Sequence, residues 1–335
     1  METRTLGRNG PALSALGLGC MGMSDFYGPA DRDESIATIQ AALDRGMTLL
    51  DTGDFYGHGH NEMLIREALQ TRRREDVFIA VKFGAMRAPD GQFVGYDARP
   101  AAVKNFLAYT LQRLGTDYVD LLQPARLDPS VPIEDTVGAI GEMVQAGHVR
   151  HIGLSEMGAD TIRRAAAEQP IQALQIEYSL MSRGIEREIL PTCRELGISV
   201  TAYGVLSRGL LSDSPVRERT ANAGDFRAHS PRFQGANLER NLDLVQAVRR
   251  IAEAKQATVA QISIAWVLRQ GDDIIPLVGA RKRRRLEEAF GALDIALDDR
   301  DLAAIEAAVP ADAVAGDRYN EHQMAMLDSE RSTAG

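Results

Sequence analysis

The sequence predicts a (β/α)8 TIM barrel, an α/β fold, on two observations. Eight short runs rich in Val, Ile and Leu alternate with longer stretches whose apolar residues recur at helical spacing. The length, 335 residues, is ordinary for one such barrel. Alternation of strand and helix indicates a parallel sheet, and eight units favour a closed barrel over a doubly wound open sheet. We therefore expect a single domain over residues 1–335.

Each predicted strand is a short apolar run, and the eight runs are residues 16–20, 48–51, 77–82, 118–123, 149–155, 173–177, 199–203 and 274–278. Between them the helical spacing predicts helices over residues 33–45, 61–69, 100–113, 133–146, 159–167 and 185–196. Several of these helices are followed by a glycine where a C-cap residue belongs, namely Gly46, Gly115, Gly147 and Gly197.

Three segments depart from the repeat. Residues 4–6 and 12–15 flank an Arg-Asn-Gly turn, which predicts an N-terminal β-hairpin as a plug at the bottom of the barrel. Residues 207–238, after the seventh strand, lack clear periodicity and are longer than structural connections usually are, so they predict a lid or a disordered segment. Residues 311–335 form a C-terminal tail beyond the last predicted helix.

Composition excludes several classes of protein. Hydrophobic residues at 44% and charged residues at 25% are typical of a globular chain and exclude a disordered or collagen-like one. The net charge of -9 argues against nucleic acid or an anionic membrane as a partner. The two cysteines, Cys20 and Cys193, lack disulfide or zinc-site spacing, and no signal peptide or membrane span is evident. We expect a cytoplasmic protein without a metal, either a monomer or a homo-oligomer.

In barrel enzymes the catalytic residues lie just after the carboxyl ends of the strands. Asp51 ends the second strand, Tyr56 follows on a glycine-rich loop, and Lys82 ends the third strand in an otherwise apolar run. A lysine entering a barrel needs a carboxylate, and Asp51 is the obvious partner. An ammonium beside a phenol lowers the pKa of the phenol, which makes Tyr56 a candidate proton donor. The alternative is a structural ion pair beside an incidental tyrosine.

Several motifs together make this sequence resemble the aldo-keto reductases. They are DTGDFYGHGHNE after the second strand, VKFG, GLSE at 153–156, QIEYS at 175–179 and AYGVLSRGLL at 202–211, in family order over nearly the whole chain. DFR and PRF in the long loop and AGDRY at 315–319 resemble the bacterial and plant branch. The resemblance implies a barrel enzyme that reduces carbonyl compounds reversibly with NADPH.

By this resemblance Tyr56 is the proton donor, with Lys82 and Asp51 assisting. Further positions match the family's cofactor-binding residues: Tyr203 would stack on the nicotinamide, Ser155 and Gln175 would bind its carboxamide, and the pyrophosphate would meet Ser207, Arg208 and Gly209. After the eighth strand, the resemblance assigns the adenosine end of NADP+ to Gly279, Arg281, Arg285 and Glu288.

The cations of residues 281–285 have a second interpretation, because a run of charge is usually a solvated helix face. Their place after the eighth strand, where barrels commonly bind phosphate, favours phosphate binding. The glycines of residues 17–22 also fit the G-x-G-x-x-G dinucleotide fingerprint, but the next predicted helix begins only near Asp33, so we reject a Rossmann fold.

The main departure from the family lies after the fourth strand, where Ala125 stands at the position of the family's histidine. Alanine offers no side-chain donor to the carbonyl, so that donor is lost unless His58 or Arg126 replaces it. Phe26 and Tyr27 are the residues expected to touch substrate, in a pocket with Ala125 and Arg126.

Two other functions remain open on the sequence. One is an NADPH-binding regulatory or redox-sensing subunit with little turnover, like the potassium-channel β subunits, which keep this fold and also depart from the family histidine. The other is a barrel that binds a phosphorylated substrate without redox chemistry. The complete trio of Tyr56, Lys82 and Asp51 favours the enzyme over the regulatory subunit. Ser155, Gln175 and Tyr203 make sense together only around a nicotinamide, which argues against the barrel without redox chemistry.

Overall fold

Strands and helices alternate along the chain in the predicted order. The computed structural model describes residues 1–24, 26–214, 216–220 and 225–331. Within them the strands are β1 (Thr3–Thr5), β2 (Ala12–Ser14), β3 (Gly17–Gly19), β4 (Leu49–Gly53), β5 (Phe78–Phe83), β6 (Ala85–Arg87), β7 (Phe93–Tyr96), β8 (Val119–Pro124), β9 (Val149–Ser155), β10 (Ile171–Glu177), β11 (Ser199–Tyr203) and β12 (Ile274–Val278).

The closed barrel is confirmed. In the described part of the chain, eight parallel strands pair in the order β3, β4, β5, β8, β9, β10, β11 and β12, and β12 pairs back with β3. No helix of these residues is both long and apolar enough to cross a membrane.

The described helices are α1 (Arg32–Asp44), α2 (His60–Ala68), α3 (Pro100–Leu114), α4 (Ile133–Gln145), α5 (Ala159–Glu168), α6 (Ile189–Leu196), α7 (Val216–Thr220), α8 (Gly235–Ala254), α9 (Val259–Arg269), α10 (Arg283–Phe290), α11 (Asp299–Ala308) and α12 (Glu321–Ala325). Gly115 and Gly197 end α3 and α6 in the left-handed conformation, with φ of 67° and 70°, which glycine adopts without strain.

The N-terminal hairpin closes the bottom of the barrel, as predicted. Strands β1 and β2 pair antiparallel, and the hairpin's Leu6 and Leu13 pack with inward residues of the barrel strands, among them Leu49 and Phe78. Arg4 donates to the carbonyls of Leu268 and Gly271, both at 2.7 Å, which ties the hairpin to the end of α9 and to the loop before β12.

The long segment after β11 is more regular than its sequence suggests. Its described residues form 3₁₀ turns at Ser207–Gly209, Phe226–His229 and Pro231–Phe233, and α8 already begins at Gly235. The predicted boundary at residue 238 is therefore wrong by four residues, and residues 215 and 221–224 of this segment lie outside the described chain. Local polar contacts replace apolar periodicity: Asp225 accepts from the Arg227 amide at 3.0 Å and pairs with its guanidinium.

The tail folds back over the barrel mouth. Asn241 on α8 donates to the Ala315 carbonyl at 2.9 Å and accepts from the Ala315 amide at the same distance. Beyond it, Asp328 accepts a hydrogen bond from the Gly158 amide, 2.8 Å away, just before α5. The tail therefore forms one wall of the space above the strand ends.

Candidate active site

The structure brings Asp51, Lys82 and Tyr56 together at the carboxyl ends of β4 and β5. The Lys82 Nζ atom donates to both carboxylate oxygens of Asp51, at 2.7 and 2.8 Å. It lies 5.3 Å from the centroid of the Tyr56 ring. Each of the three residues is at most 5% exposed. An ammonium, a carboxylate and a phenol are therefore shielded from water as one group.

Burial sets the protonation of this trio. It raises the pKa of Tyr56 well above its ordinary value, and the Asp51 carboxylate raises it further. Burial also lowers the pKa of Lys82, which Asp51 opposes. The expectation that the ammonium brings the Tyr56 pKa toward neutrality is wrong for this structure, because burial outweighs it and Asp51 offsets its charge. Tyr56 consequently keeps its proton at neutral pH.

A cavity of about 850 Å³ opens above the trio. All the site residues expected from the sequence line it except Ser155 and Ser207, which are buried but do not line it. Phe26 meets the Tyr56 ring edge to face, with centroids 6.3 Å apart. Ala125, directly after β8, is 2% exposed and presents a methyl group where the family has histidine.

Three neighbouring strands supply polar groups beside the trio. Gln175 on β10 donates through Nε2 to Asp51 Oδ1 at 2.7 Å. The Asp51 carboxylate therefore accepts hydrogen bonds from both Lys82 and Gln175. Ser155 at the end of β9 has a buried hydroxyl without a hydrogen-bond partner among the described residues. Tyr203 at the end of β11 lines the cavity and donates its hydroxyl to Glu156 at 2.7 Å.

A buried ionic network fastens the tail to the strand ends, and the sequence analysis missed it. Arg318 donates to Glu156 Oε1 at 2.9 Å and through Nε to Glu330 at 2.7 Å. Burial alone would raise the pKa of Glu156, but Arg318 holds it well below its usual range. Glu156 lies in the motif GLSE and Arg318 in the motif AGDRY. Their pairing joins distant parts of the chain, which no local pattern reveals.

Arg208 belongs to the same network. Its Nη2 atom lies 3.2 Å from Glu177 Oε2, its Nη1 donates to the Arg318 carbonyl, and its guanidinium lies over the Tyr319 ring at 4.4 Å. Ser207 and Arg208 have φ of 45° and 53°, so the backbone turns sharply before Gly209. Arg208 therefore lines the cavity with its charge already shared with Glu177.

The five cations at residues 281–285, after β12, differ in their contacts. Arg283 pairs with Glu34 at 2.8 Å and does not line the cavity, whereas the other four cations of residues 281–285 do line it. Arg285 pairs with Glu288 at 2.7 Å. Arg281 donates to backbone carbonyls of the loop after β3, including that of Tyr27 at 3.1 Å. Arg281, Lys282 and Arg284 form no ion pair with any described residue.

A second hairpin, also missed, forms part of the cavity wall. Strands β6 and β7 pair antiparallel and bring Arg87, Phe93 and Tyr96 to the cavity. The Pro-Asp-Gly sequence at residues 89–91 is a turn signal between them, and Gly91 has a φ of 87°. That signal would have been sufficient to predict the hairpin.

Asp54, two residues before the phenol, is a buried carboxylic acid. It is 7% exposed, and neither carboxylate oxygen has a well-formed hydrogen bond to a described residue. Burial, together with the nearby charge of Glu62, raises the pKa of Asp54 to about 8. The unfolded chain loses this proton near pH 4. The folded protein therefore loses stability as the pH rises from about 4 to about 8, by at most about 1.4 kcal/mol per pH unit.

We expect Asp54→Asn to abolish that loss, since the amide stays neutral at every pH. The melting temperature of the variant should match that of the wild type near pH 4 and exceed it by an increasing amount up to about pH 8, as measured by thermal unfolding followed by circular dichroism. A constant difference between the two proteins across this range would show that Asp54 is not the titrating group.

A barrel that buries a phenol, an ammonium and a carboxylate beneath a cavity at its strand ends has the architecture of an enzyme. The chain belongs to the aldo/keto reductase family, whose model matches residues 15–310.

Known proteins similar to this chain agree with this assignment. A Glycine max protein named "Probable aldo-keto reductase 1" is 44% identical over 317 residues, covering 94% of this chain and 90% of that protein. The Schizosaccharomyces pombe aldo-keto reductase yakc, whose name includes NADP(+), is 40% identical over 323 residues, covering 95% of this chain and 94% of that protein. The solved structure of a glycerol dehydrogenase from Gluconobacter oxydans superposes on this chain with a TM-score of 0.83 at 29% sequence identity. The match covers 91% of this chain and 94% of that one.

Proposed function

We propose that this protein reduces an aldehyde or ketone reversibly to an alcohol with NADPH, as one barrel domain over residues 1–335. The observation that carries the proposal is the buried trio of Tyr56, Lys82 and Asp51, which faces a cavity that also reaches the unpaired cations after β12. The trio supplies a proton at a site shielded from water, and the cations suit a phosphorylated cofactor.

The residues present fit a nicotinamide cofactor. Ser155 has a buried hydroxyl without a described partner, as a carboxamide ligand would require. Gln175 lines the cavity beside it, and its carbonyl oxygen accepts no hydrogen bond from the described chain. Tyr203 offers an aromatic face to a flat ring. Gly279 has open space where a Cβ atom would stand, which leaves room for the cofactor backbone.

The pyrophosphate would lie at Arg208 and Gly209, where Gly209 has a φ of 97° and lines the cavity. Because Arg208 already shares its charge with Glu177, its contribution to binding would be smaller than that of a free guanidinium. Ser207, expected at the pyrophosphate, would act through its backbone, since its side chain is buried and does not line the cavity.

A bound reduced nicotinamide would supply hydride to the carbonyl carbon. Tyr56 would donate its proton to the carbonyl oxygen, and Lys82, held by Asp51, would stabilise the phenolate that this donation leaves. Phe26 and Tyr96 line the cavity with aromatic rings, which would exclude water from the reacting carbonyl.

The cations after β12 provide a test of cofactor choice. We expect Arg281→Ala and Arg285→Ala each to raise the Kd for NADPH by about 10- to 100-fold, since each removes a charged hydrogen bond to the 2'-phosphate. The Kd for NADH, which lacks that phosphate, should not change. Both constants can be measured by the quenching of protein fluorescence.

Arg283→Ala is the matched control, since this neighbour is paired with Glu34 and does not line the cavity. If it weakens NADPH binding as much as the other two substitutions do, the run acts only as a diffuse positive surface and the assignment of the phosphate site is wrong.

The function itself is tested by following NADPH oxidation with a panel of aldehydes and ketones from small to polycyclic. We expect turnover of at least one class of carbonyl compound. Tight NADPH binding without turnover of any of them would favour a regulatory subunit instead.

A further inference from the structure

We infer that Arg126 is the second hydrogen-bond donor to the reacting carbonyl oxygen, in the place that Ala125 leaves without one. The inference rests on the proposed carbonyl reduction and names a further catalytic residue for it.

The carbonyl site has a gap at residue 125. The Ala125 side chain cannot donate, and its backbone amide is already bonded to the Phe83 carbonyl at 2.8 Å. His58 does not line the cavity, and its ring lies 3.2 Å from the Ala88 carbonyl. Of the two replacements considered from the sequence, only Arg126 reaches the cavity.

The Arg126 guanidinium lies against the backbone of Ala125. Its Nη1 atom donates to the carbonyl of Ala125 at 2.6 Å, and its Nη2 atom has only a long contact, 3.5 Å, with the Tyr319 hydroxyl. Arg126 lines the same cavity as Tyr56 and Lys82.

Arg126 keeps donors free for a ligand. A guanidinium carries five N–H groups, and these two contacts leave most of them unused. No carboxylate of the described residues lies within ion-pair distance of Arg126. By comparison Arg318, Arg208 and Arg232 at the same mouth all pair with glutamates.

The chemistry of reduction suits a donor of this kind. The carbonyl carbon accepts the hydride, the C=O π bond breaks, and its electron pair moves to oxygen, which takes the proton of Tyr56. Negative charge grows on that oxygen before the proton arrives, and a charged donor stabilises it more strongly than a neutral one. Arg126 keeps all its own protons throughout.

The test is Arg126→Met, assayed with para-carboxybenzaldehyde and its neutral methyl ester. We expect kcat to fall about 100-fold for both substrates, the usual effect of removing one such donor, with the Kd for NADPH unchanged. Ala125→His added to Arg126→Met should recover part of the lost kcat. Arg126→Lys, which keeps a cation, should lose less and guards against a folding defect.

The matched control is Arg150→Met. Arg150 is exposed and lies near the start of β9, at the end of the barrel away from the cavity, so its loss should leave kcat unchanged. A loss confined to the carboxylate-bearing aldehyde would show that Arg126 binds a substrate carboxylate and would overturn the inference. So would an unchanged kcat in Arg126→Met. If the wild type turns over no aldehyde or ketone of the panel, the proposed function fails, and that outcome is distinct from both.

A pH profile separates a catalytic role from a structural one. Burial, Asp51 and the hydroxyls of Tyr319 and Tyr27 raise the pKa of Tyr56, whereas the charge of Arg126 lowers it. Lys82 faces the same ring. Arg126→Met should therefore shift the rise of alcohol oxidation with pH to higher pH, while Arg150→Met should leave it in place.

Discussion

We expect Tyr56→Phe to lower kcat for carbonyl reduction by about 100- to 10,000-fold, the range over which a positioned general acid acts. The substitution removes one oxygen and keeps the ring, so the edge-to-face contacts with Phe26 at 6.3 Å and Phe55 at 4.7 Å survive. The loss should therefore appear in kcat, with the Kd for NADPH and the melting temperature unchanged. Steady-state kinetics, fluorescence titration and thermal unfolding measure these three quantities.

The direction of the reaction distinguishes the two protonation states of Tyr56. Since burial raises the pKa of Tyr56 well above its ordinary value, reduction, which needs the phenol, should persist into alkaline solution. Alcohol oxidation needs the phenolate and should rise steadily with pH. If Tyr56→Phe retained wild-type kcat, the proton would come from another group, and the proposed role of the trio would be wrong.

The second large effect is on stability. We expect Lys82→Met to destabilise the fold by about 3–5 kcal/mol, because it leaves the Asp51 carboxylate buried without its cation. Gln175, at 2.7 Å, would be the remaining described side-chain donor to that carboxylate. Carbonyl reduction should also fall by about 100-fold or more, since the phenolate loses its neighbouring charge. Urea unfolding and steady-state kinetics measure the two losses.

Asp51→Asn combined with Lys82→Met provides the control for this prediction. The double variant carries no unpaired buried charge, so it should recover much of the stability of the wild type while remaining inactive. If the double variant were as unstable as Lys82→Met, packing around the lysine stem, and not the unpaired charge, would account for the loss.

The barrel could be predicted because its signals are local. The run at residues 274–278 is apolar along its length, as a strand covered on both faces must be, and the structure places a strand at these same residues. The trio could be predicted from one unusual residue, the lysine inside an apolar run. Its position at the end of a strand is enough to identify it as a candidate catalytic residue.

The mouth of the barrel could not be predicted in the same way. Arg318 and Glu156 are ordinary charged residues in sequence, and only folding brings them within a hydrogen bond. The pKa of Tyr56 could not be predicted from the sequence either, since it depends on the balance between burial and the neighbouring charges in the folded protein. The β6–β7 hairpin differs from these, because its Pro-Asp-Gly turn was visible in the sequence.

Closure of the sheet between Gly17 and Leu277 has a consequence for how the protein is made. The first barrel strand has no partner on one side until nearly the whole chain has left the ribosome. Until then β3 and β11 each present an open edge to other nascent chains. Nonsense mutations between β11 and β12 should accordingly yield aggregates, not a partly active enzyme. Ribosome stalling in this interval should increase the demand for chaperones.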